Sequence, residues 1–367
     1  MDAKTAVDHQ WPYLLTFFPP AAQLDTTATE LGAIRRKRAV DGAETLLRLS
    51  MVYGGWGFSL RQTAAWAEAA GVASLSDVAL LKRLRKASDW LGHLLAIKLA
   101  ERAALPQIQA PLLRLVDATA ISRPASTGTD WRVHLGFDLR SLSIHAVELT
   151  DHAGAESLTR FHIGPGEIVL GDRGYAHRKG LYSVRQSGGD FIVRINWQNV
   201  PLQFLNGQSL DILAALRTLP EAGEGSFAVQ TAPDPKNRLP AVPVRLVGVR
   251  KSETAAEESR RKILRDRAQK GQTVDPRTLE AAAYIFVLTS VPEVSLSAKQ
   301  VLDLYRFRWQ IEMAFKRMKG RLELGVLPAK DASLARTIIY SKLLAALVLD
   351  DFTSRFLAIS PWGFPLQ

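Results

Sequence analysis

Apolar residues recur at helical spacing from Ala43 to Tyr53, and Gly54, Gly55 and Gly57 stop the run. The segment SLRQTAAWAEAAG repeats the pattern, with Ser59 placed to cap its start and Gly71 its end. SLSDVALLKRLRKASDWL follows as another helix, so the residues up to about 105 read as helical. From about 111 the period becomes that of strands. LLRLVDAT (112–119) is a buried-type strand, and WRVHLGFDLRS and SIHAVELTD (131–151) alternate around a turn. EIVLGDRGY (167–175) and FIVRIN (191–196) are two more strands. Between them HRKGLYSVRQSG has helical composition and ends at Gly188. Three successive strands, then a strand, a helix and a strand, predict a mixed five-stranded sheet. Residues 197–295 break this rhythm with Pro and Gly. They still hold strand-like segments (GSFAVQTA, VPVRLVGVR, AAYIFVLTS) and a polar helix, ETAAEESRRKILRDRAQKG. A final helix runs from about Ala332 to Phe352.

Composition narrows the chemistry. The chain is long enough to bury a large core, and nearly half its residues are apolar. Its 47 Lys+Arg against 36 Asp+Glu give a formal charge of +11, which favours a polyanionic partner, nucleic acid first. Without cysteine, disulfides, thiolate catalysis and Cys-ligated zinc are excluded. The histidines are scattered and none has His-x₃-His spacing, which disfavours zinc. No signal peptide is read at the N-terminus, and the apolar stretch Leu343–Leu349 is too short to span a bilayer. The expectation is a cytoplasmic protein with no membrane partner.

Two features leave alternatives open. Lys82, Arg83, Arg85 and Lys86 lie on or near one side of the helix that follows Gly71. Two helices around a Gly turn, the second basic, read either as a helix-turn-helix that contacts DNA or as a bundle with a basic surface. The run Arg35-Arg36-Lys37-Arg38 reads either as a phosphate contact or as a solvated segment.

The candidate chemistry lies in VLDLYRFRWQIEMAFKRMKG. Arg308, Glu312 and Lys319 follow Tyr305 at offsets of three, seven and fourteen residues. At about 100° per residue all four share a stripe about 60° wide. That stripe is either a solvated helix face with ion pairs or a site that holds a metal with Glu312 and grips phosphate with Arg308 and Lys319. Asp117 and Asp172 each end a hydrophobic strand. Each alone suits a turn-initiating cap, whereas together with Glu312 they form three hard oxygen donors suited to Mg²⁺ or Mn²⁺. Three carboxylates can hold two such ions about 3.5–4 Å apart for phosphoryl transfer.

On these residues the chain resembles the bacterial insertion-sequence transposases of the IS-four family, within the DDE superfamily. The family signature Y-(2)-R-(3)-E-(6)-K is complete at Tyr305, Arg308, Glu312 and Lys319. GDRGY around Asp172 looks like the second-Asp motif and LVDAT around Asp117 like the first. The resemblance implies a ribonuclease-H-like α/β fold: a mixed five-stranded sheet with helices, interrupted by a β-rich insertion and preceded by a helical N-terminal domain. The expected divisions are a helical DNA-binding domain (1–108), the first part of the catalytic domain (109–196), the insertion (197–295), and the second catalytic part with the C-terminal helix (296–367).

It also implies roles. Asp117, Asp172 and Glu312 would bind two Mg²⁺ or Mn²⁺ ions. Tyr305, Arg308 and Lys319 would hold phosphates near the cleaved end, with Arg194 and Lys316 as further contacts. Arg194 reads equally as an edge-strand cation. Relatives that cut and paste form a DNA hairpin, and an aromatic of the insertion stacks on a flipped base. Tryptophan is missing at the expected place, where this chain has Tyr284-Ile285-Phe286, and Trp197 is a further candidate. The implied partners are the inverted-repeat ends and target duplex DNA, handled by a homodimer in the synaptic complex on the bacterial nucleoid. The function read from the sequence is DNA transposition, with a catalytically silent, DNA-binding relative as the alternative.

Overall fold

The structure is a computed structural model that describes residues 10–103, 112–138, 143–221, 223–306, 308, 327, 329 and 331–357. Backbone contacts divide the chain into two compact units. One comprises Met1–Gln107, Thr119–Val133 and Ala314–Gln367; the other comprises Ile108–Ala118 and His134–Met313.

The first unit is mainly helical. Helices α1 (Ala21–Glu30), α2 (Ala43–Ser50), α3 (Leu60–Ala69) and α4 (Asp77–Ala103) are joined by short connections, with one π-helical turn at Met51–Gly55. Helix α3 begins where the sequence places it. The Ser59 hydroxyl accepts from the Gln62 amide at 3.2 Å, and the Gln62 side chain accepts from the Ser59 amide at 2.9 Å. This reciprocal box satisfies two of the free amides of the first turn. Gly71 follows the helix at φ +65°, the left-handed conformation that closes it.

Helix α4 departs from the helix-turn-helix expectation. The connection from Ala70 to Ser76 exceeds a three- or four-residue turn, and α4 is 27 residues long. Leu80, Leu84, Ala87, Leu91 and Leu94 line one buried stripe along it, so α4 is the core helix of this unit. The C-terminal helix (Ala332–Leu357) packs on it, with Thr337 donating to the Leu84 carbonyl at 2.7 Å. The stretch Ala332–Phe352 is long and apolar enough to cross a membrane, which corrects the shorter run read from sequence; 67% of it is buried in the protein. Its apolar residues are accounted for by core packing.

The second unit holds most of a sheet of nine strands, the end of β1 and the start of β2 counting with the first unit: β1 (Leu112–Ile121), β2 (Trp131–Asp138), β3 (Ser143–Asp151), β4 (Glu167–Gly171), β5 (Asp190–Arg194), β6 (Leu202–Gln203), β7 (Glu224–Thr231), β8 (Pro243–Arg250) and β9 (Tyr284–Thr289). Their order is β3-β2-β1-β4-β5-β9-β8-β7-β6. Strands β1, β4 and β5 are parallel, and β5 to β7 pair through antiparallel neighbours. The sequence suggests five strands with a separate insertion. Instead β9 pairs with the free edge of β5, so the strands of 197–295 extend the same sheet. An open strand edge exposes unpaired amides and carbonyls, and β9 covers that of β5.

Helices α5 (Arg178–Gln186), α6 (Ile212–Arg217), α7 (Glu253–Gln269), α8 (Pro276–Ala281) and α9 (Ala298–Arg306) belong to this unit. Leu181 and Val184 of α5 and Leu213 and Leu216 of α6 pack with Val169, Phe191, Val193, Leu246 and Leu288 in one core. Near the starts of the parallel strands, Arg114 is locked by two carboxylates. Its Nε and Nη2 donate to Glu167 at 2.9 and 2.7 Å, and its Nη1 to Asp138 at 2.8 Å. All three side chains are nearly buried.

Candidate active site

Strand register brings the site together. Leu115 of β1 faces Leu170 of β4, so continuing the pairing by two residues sets Asp117 beside Asp172. Gly171 of β4 faces Val193 of β5, and one further step sets Asp172 beside Arg194. Adjacent strands lie about 4.8 Å apart. Two carboxylates and a guanidinium therefore stand in a row where β4 and β5 end and β1 runs on to Ile121, the side on which open α/β sheets bind their ligands.

The environment of Asp117 is acidic. Burial pushes its carboxyl up to about 6, and the charges of Asp172 and Glu156 push the same way. The Ala118 amide, donating at 2.8 Å, and the Arg308 guanidinium oppose the shift. Asp172 is held by the tight turn that follows β4: its Oδ1 accepts from the Gly174 amide at 2.8 Å and so starts a 3₁₀ turn at Arg173–Tyr175. The turn-capping geometry expected of a strand-end Asp is thus present at Asp172, whereas Asp117 lies inside β1, which continues to Ile121 and so does not end where the sequence suggests.

Glu156 was not visible in the sequence pattern. Its carboxylate lies against Gly174, where any β-carbon would collide with Glu156 Oε2 and sit 3.1 Å from Asp172 Oδ1. A side chain at this position would displace the Glu156 carboxylate. The loop carrying Glu156 is fixed by buried Leu158 and by Arg160, which donates to the Ala155 carbonyl at 2.8 Å and to Glu148 at 2.7 Å.

Among the described residues no three acidic or imidazole groups close into a metal-holding set. Glu312, the third carboxylate expected from the sequence, lies outside the described residues, as do Lys316 and Lys319. The residues present fit a divalent cation. Asp117 and Asp172 are hard oxygen donors crowded by a further carboxylate, and a positive ion relieves that crowding.

Beside the carboxylates a cavity of about 570 Å³ opens, floored by Asp172, Arg194, Tyr305 and Arg308 and walled by Trp197 and Tyr284. Tyr305 is buried on α9, and the Arg308 guanidinium lies over its ring at 5.7 Å. Burial raises the Tyr305 phenol, against the pull of the Arg308 and Arg194 charges. Trp197 is covered by the Arg277 guanidinium at 4.4 Å, and its Nε1 donates to Thr278 at 3.3 Å. Tyr284 and Phe286 are buried and both line the cavity. Arg173 and Lys251 line it too, and sequence reading singled out neither.

The basic residues of α4 belong to the first unit. Lys82, Arg85 and Lys86 are exposed. Arg85 pairs with Asp331 at 3.4 Å, and Arg83 donates to the Arg36 carbonyl at 2.9 Å, which brings the Arg35–Arg38 run against α4.

Residues 109–348 match the family described as transposase DDE domain. The chain is 41% identical over 355 residues to InsL of insertion sequence element IS186A from Escherichia coli (strain K12), covering 96% of each. It is also 41% identical over 356 residues to the transposase for insertion sequence element IS421 of Escherichia coli, again with 96% of each covered. The chain belongs to the DDE transposase family of the IS-four type. The transposase is also 23% identical over 366 residues to that of insertion sequence element IS231B from Bacillus thuringiensis subsp. berliner, covering 89% of this chain and 76% of that one. A solved structure of the piggyBac transposase synaptic complex with hairpin DNA aligns with a TM-score of 0.45 at 9% identity, covering 92% of this chain and 74% of that one. Membership makes this enzyme a DNA transposase that cuts and transfers DNA strands, with the divalent-metal dependence of its family.

Proposed function

We propose that Asp117, Asp172 and Glu312 together hold Mg²⁺ or Mn²⁺, two ions, and that this site cuts the ends of an insertion sequence and joins them to target DNA. The observation that carries this reading is the register that sets Asp117 of β1 beside Asp172, which follows β4, with the Asp172 charge acting on Asp117. The strand order β3-β2-β1-β4-β5 with α5 between β4 and β5 supports a ribonuclease-H-like catalytic domain, preceded by the helical part (1–108) and extended by the 197–295 segment. The remainder, 296–367, brings Glu312 and the C-terminal helix.

Bound divalent ions supply a deprotonated water and neutralise charge on the departing oxygen. The protein's own groups do the rest. Asp117 must release its proton to serve as a ligand, and the Arg308 charge beside it favours that release. Arg194 and Arg308, with Tyr305, Lys316 and Lys319, hold the phosphodiester in register and offset its charge. Trp197, stiffened by Arg277 and Thr278, offers an aromatic surface for an unstacked base, with Tyr284 lining the same cavity. Lys82, Arg83, Arg85 and Lys86 bind duplex phosphates outside the reacting centre, and two copies of the enzyme synapse the inverted-repeat ends on the bacterial nucleoid.

The test is a labelled duplex carrying the element's terminal inverted repeat. Cutting at the repeat end in Mg²⁺, absent in EDTA and with Glu312→Gln, is the expected result. Specific binding with no cutting under any divalent ion would mean a silent, DNA-binding relative instead.

A further inference from the structure

Three cations, Arg173, Arg194 and Lys251, line the cavity together with Asp172 and Asp266. Among the described residues Arg173, Arg194 and Lys251 form no ion pair, whereas Arg114, Arg178 and Arg245 elsewhere in the same unit all reach carboxylates. Lys251 directly follows β8, and its amide donates to the Ala283 carbonyl at 2.9 Å. Its Nζ donates to Ser259 Oγ of α7 and to the Ala282 carbonyl that follows α8, both at 2.8 Å. Ser259 is itself fixed by donating to the Ala255 carbonyl at 2.8 Å. Two neutral oxygens thus orient an ammonium and leave its charge uncompensated.

The crowding has an electrostatic cost. Burial lowers the Lys251 ammonium below its usual value, and the Arg194 and Arg173 charges lower it further. The Arg173 side chain is exposed to solvent at this cavity. Such an arrangement is unfavourable until an anion enters it. Asp172 and Asp266 line the same cavity, and the Asp172 charge offsets part of the crowding at Arg173.

We propose that Arg173, Arg194 and Lys251 form a cradle for one backbone phosphate of the bound DNA strand, with Lys251 as its pre-positioned inner member. Lys251 comes from the segment that extends the sheet beyond β5, so that segment binds substrate directly. The cavity is of a size that accepts a nucleotide-sized group beside that phosphate. The proposal rests on the transposase reading of the site. Binding measured in EDTA does not involve the metal ligands, so failure of the cradle and failure of the catalytic assignment are distinguishable.

The experiment compares full-length wild type with Lys251→Gln, which removes the charge and keeps an N–H donor for Ser259 and Ala282. Binding to the inverted-repeat duplex is measured against salt in EDTA, then with a series of duplexes each carrying one uncharged methylphosphonate. The cradle predicts about tenfold or more weaker binding and a salt slope smaller by about 0.9. It also predicts one phosphate whose neutralisation weakens wild type and leaves Lys251→Gln unaffected. The DNA-free variant should melt at the same temperature as wild type or higher, because a crowded charge is gone. An unchanged salt slope and methylphosphonate profile would overturn the proposal. So would a lowered melting temperature with an unchanged profile, which would make Lys251 a structural prop.

Discussion

The two ends of the parallel strands in the second unit treat charge in opposite ways. Near their starts, Arg114 is buried and satisfied by Glu167 and Asp138, which ties β1, β4 and β2 together. On the side where β4 and β5 end, Asp117 sits among like charges from Asp172 and Glu156, and Lys251, just after β8, among like charges from Arg173 and Arg194. One end is neutralised within the protein, and the other is left to be neutralised by what binds. On the proposed reading, this difference separates charges paired within the fold from charges left for DNA and metal.

This contrast can be broken at either end. The largest effect is expected from Asp117→Asn or Asp172→Asn. Loss of a metal-holding carboxylate should lower single-turnover cleavage by at least ~10³-fold, several kcal/mol of transition-state stabilisation. Binding of the inverted-repeat duplex should survive and the metal-free melting temperature should hold or rise, since each change removes a repelled charge. A variant that cleaves normally would remove that residue from the site. At the other end, Glu167→Ala leaves Arg114 with half its partners and should cost about 3–5 kcal/mol of stability, read by urea unfolding. A loss below 1 kcal/mol would mean that the Arg114 cluster does little for the fold.

A smaller effect is expected from Arg194→Ala. One phosphate contact should disappear, lowering affinity by about 1.5–3 kcal/mol and the salt slope by about 0.9. An unchanged slope would return Arg194 to the role of an edge-strand cation.

The pH dependence sharpens the contrast. The folded chain keeps the Asp117 proton up to about pH 6, whereas the unfolded chain releases it near 3.8. The native state binds more protons in that window, so this contribution to stability is full below 3.8 and is lost as pH rises through about 6. A divalent cation requires the deprotonated form, so adding one should recover stability above pH 6 and have little effect below it. Thermal melts with and without Mg²⁺ read this directly, and Asp117→Asn should flatten both profiles. The smallest effect is expected on α4: Lys82→Ala with Lys86→Ala removes exposed charges and should weaken binding evenly across DNA sequences. A sequence-dependent loss would instead mean that α4 reads bases.

Local signals carried much of this into the sequence. The Ser59 box and the Gly71 and Gly188 turns are set by neighbouring residues, and both appear where the pattern puts them. Asp172 follows an apolar strand as the pattern suggests, whereas Asp117 stands within β1, whose further run to Ile121 the pattern does not show. What depended on distant pairing was not legible. The union of β5 with β9 joins residues about a hundred apart, so five strands and an insertion became one nine-stranded sheet. Glu156 lies in a polar loop, and only its collision-free fit against Gly174 reveals it. Lys251 follows an ordinary alternating strand, and nothing in its neighbours tells that Arg173 and Arg194 will face the same cavity.

The most direct measurement is Mn²⁺ binding by calorimetry to wild type, Asp117→Asn, Asp172→Asn and the double variant, at neutral pH and without DNA. If the two carboxylates form one metal site, each single change should remove most of the binding and the double change should add little more. Undiminished Mn²⁺ affinity in either single variant would contradict the assignment of Asp117 and Asp172 as the metal-holding pair of the sheet.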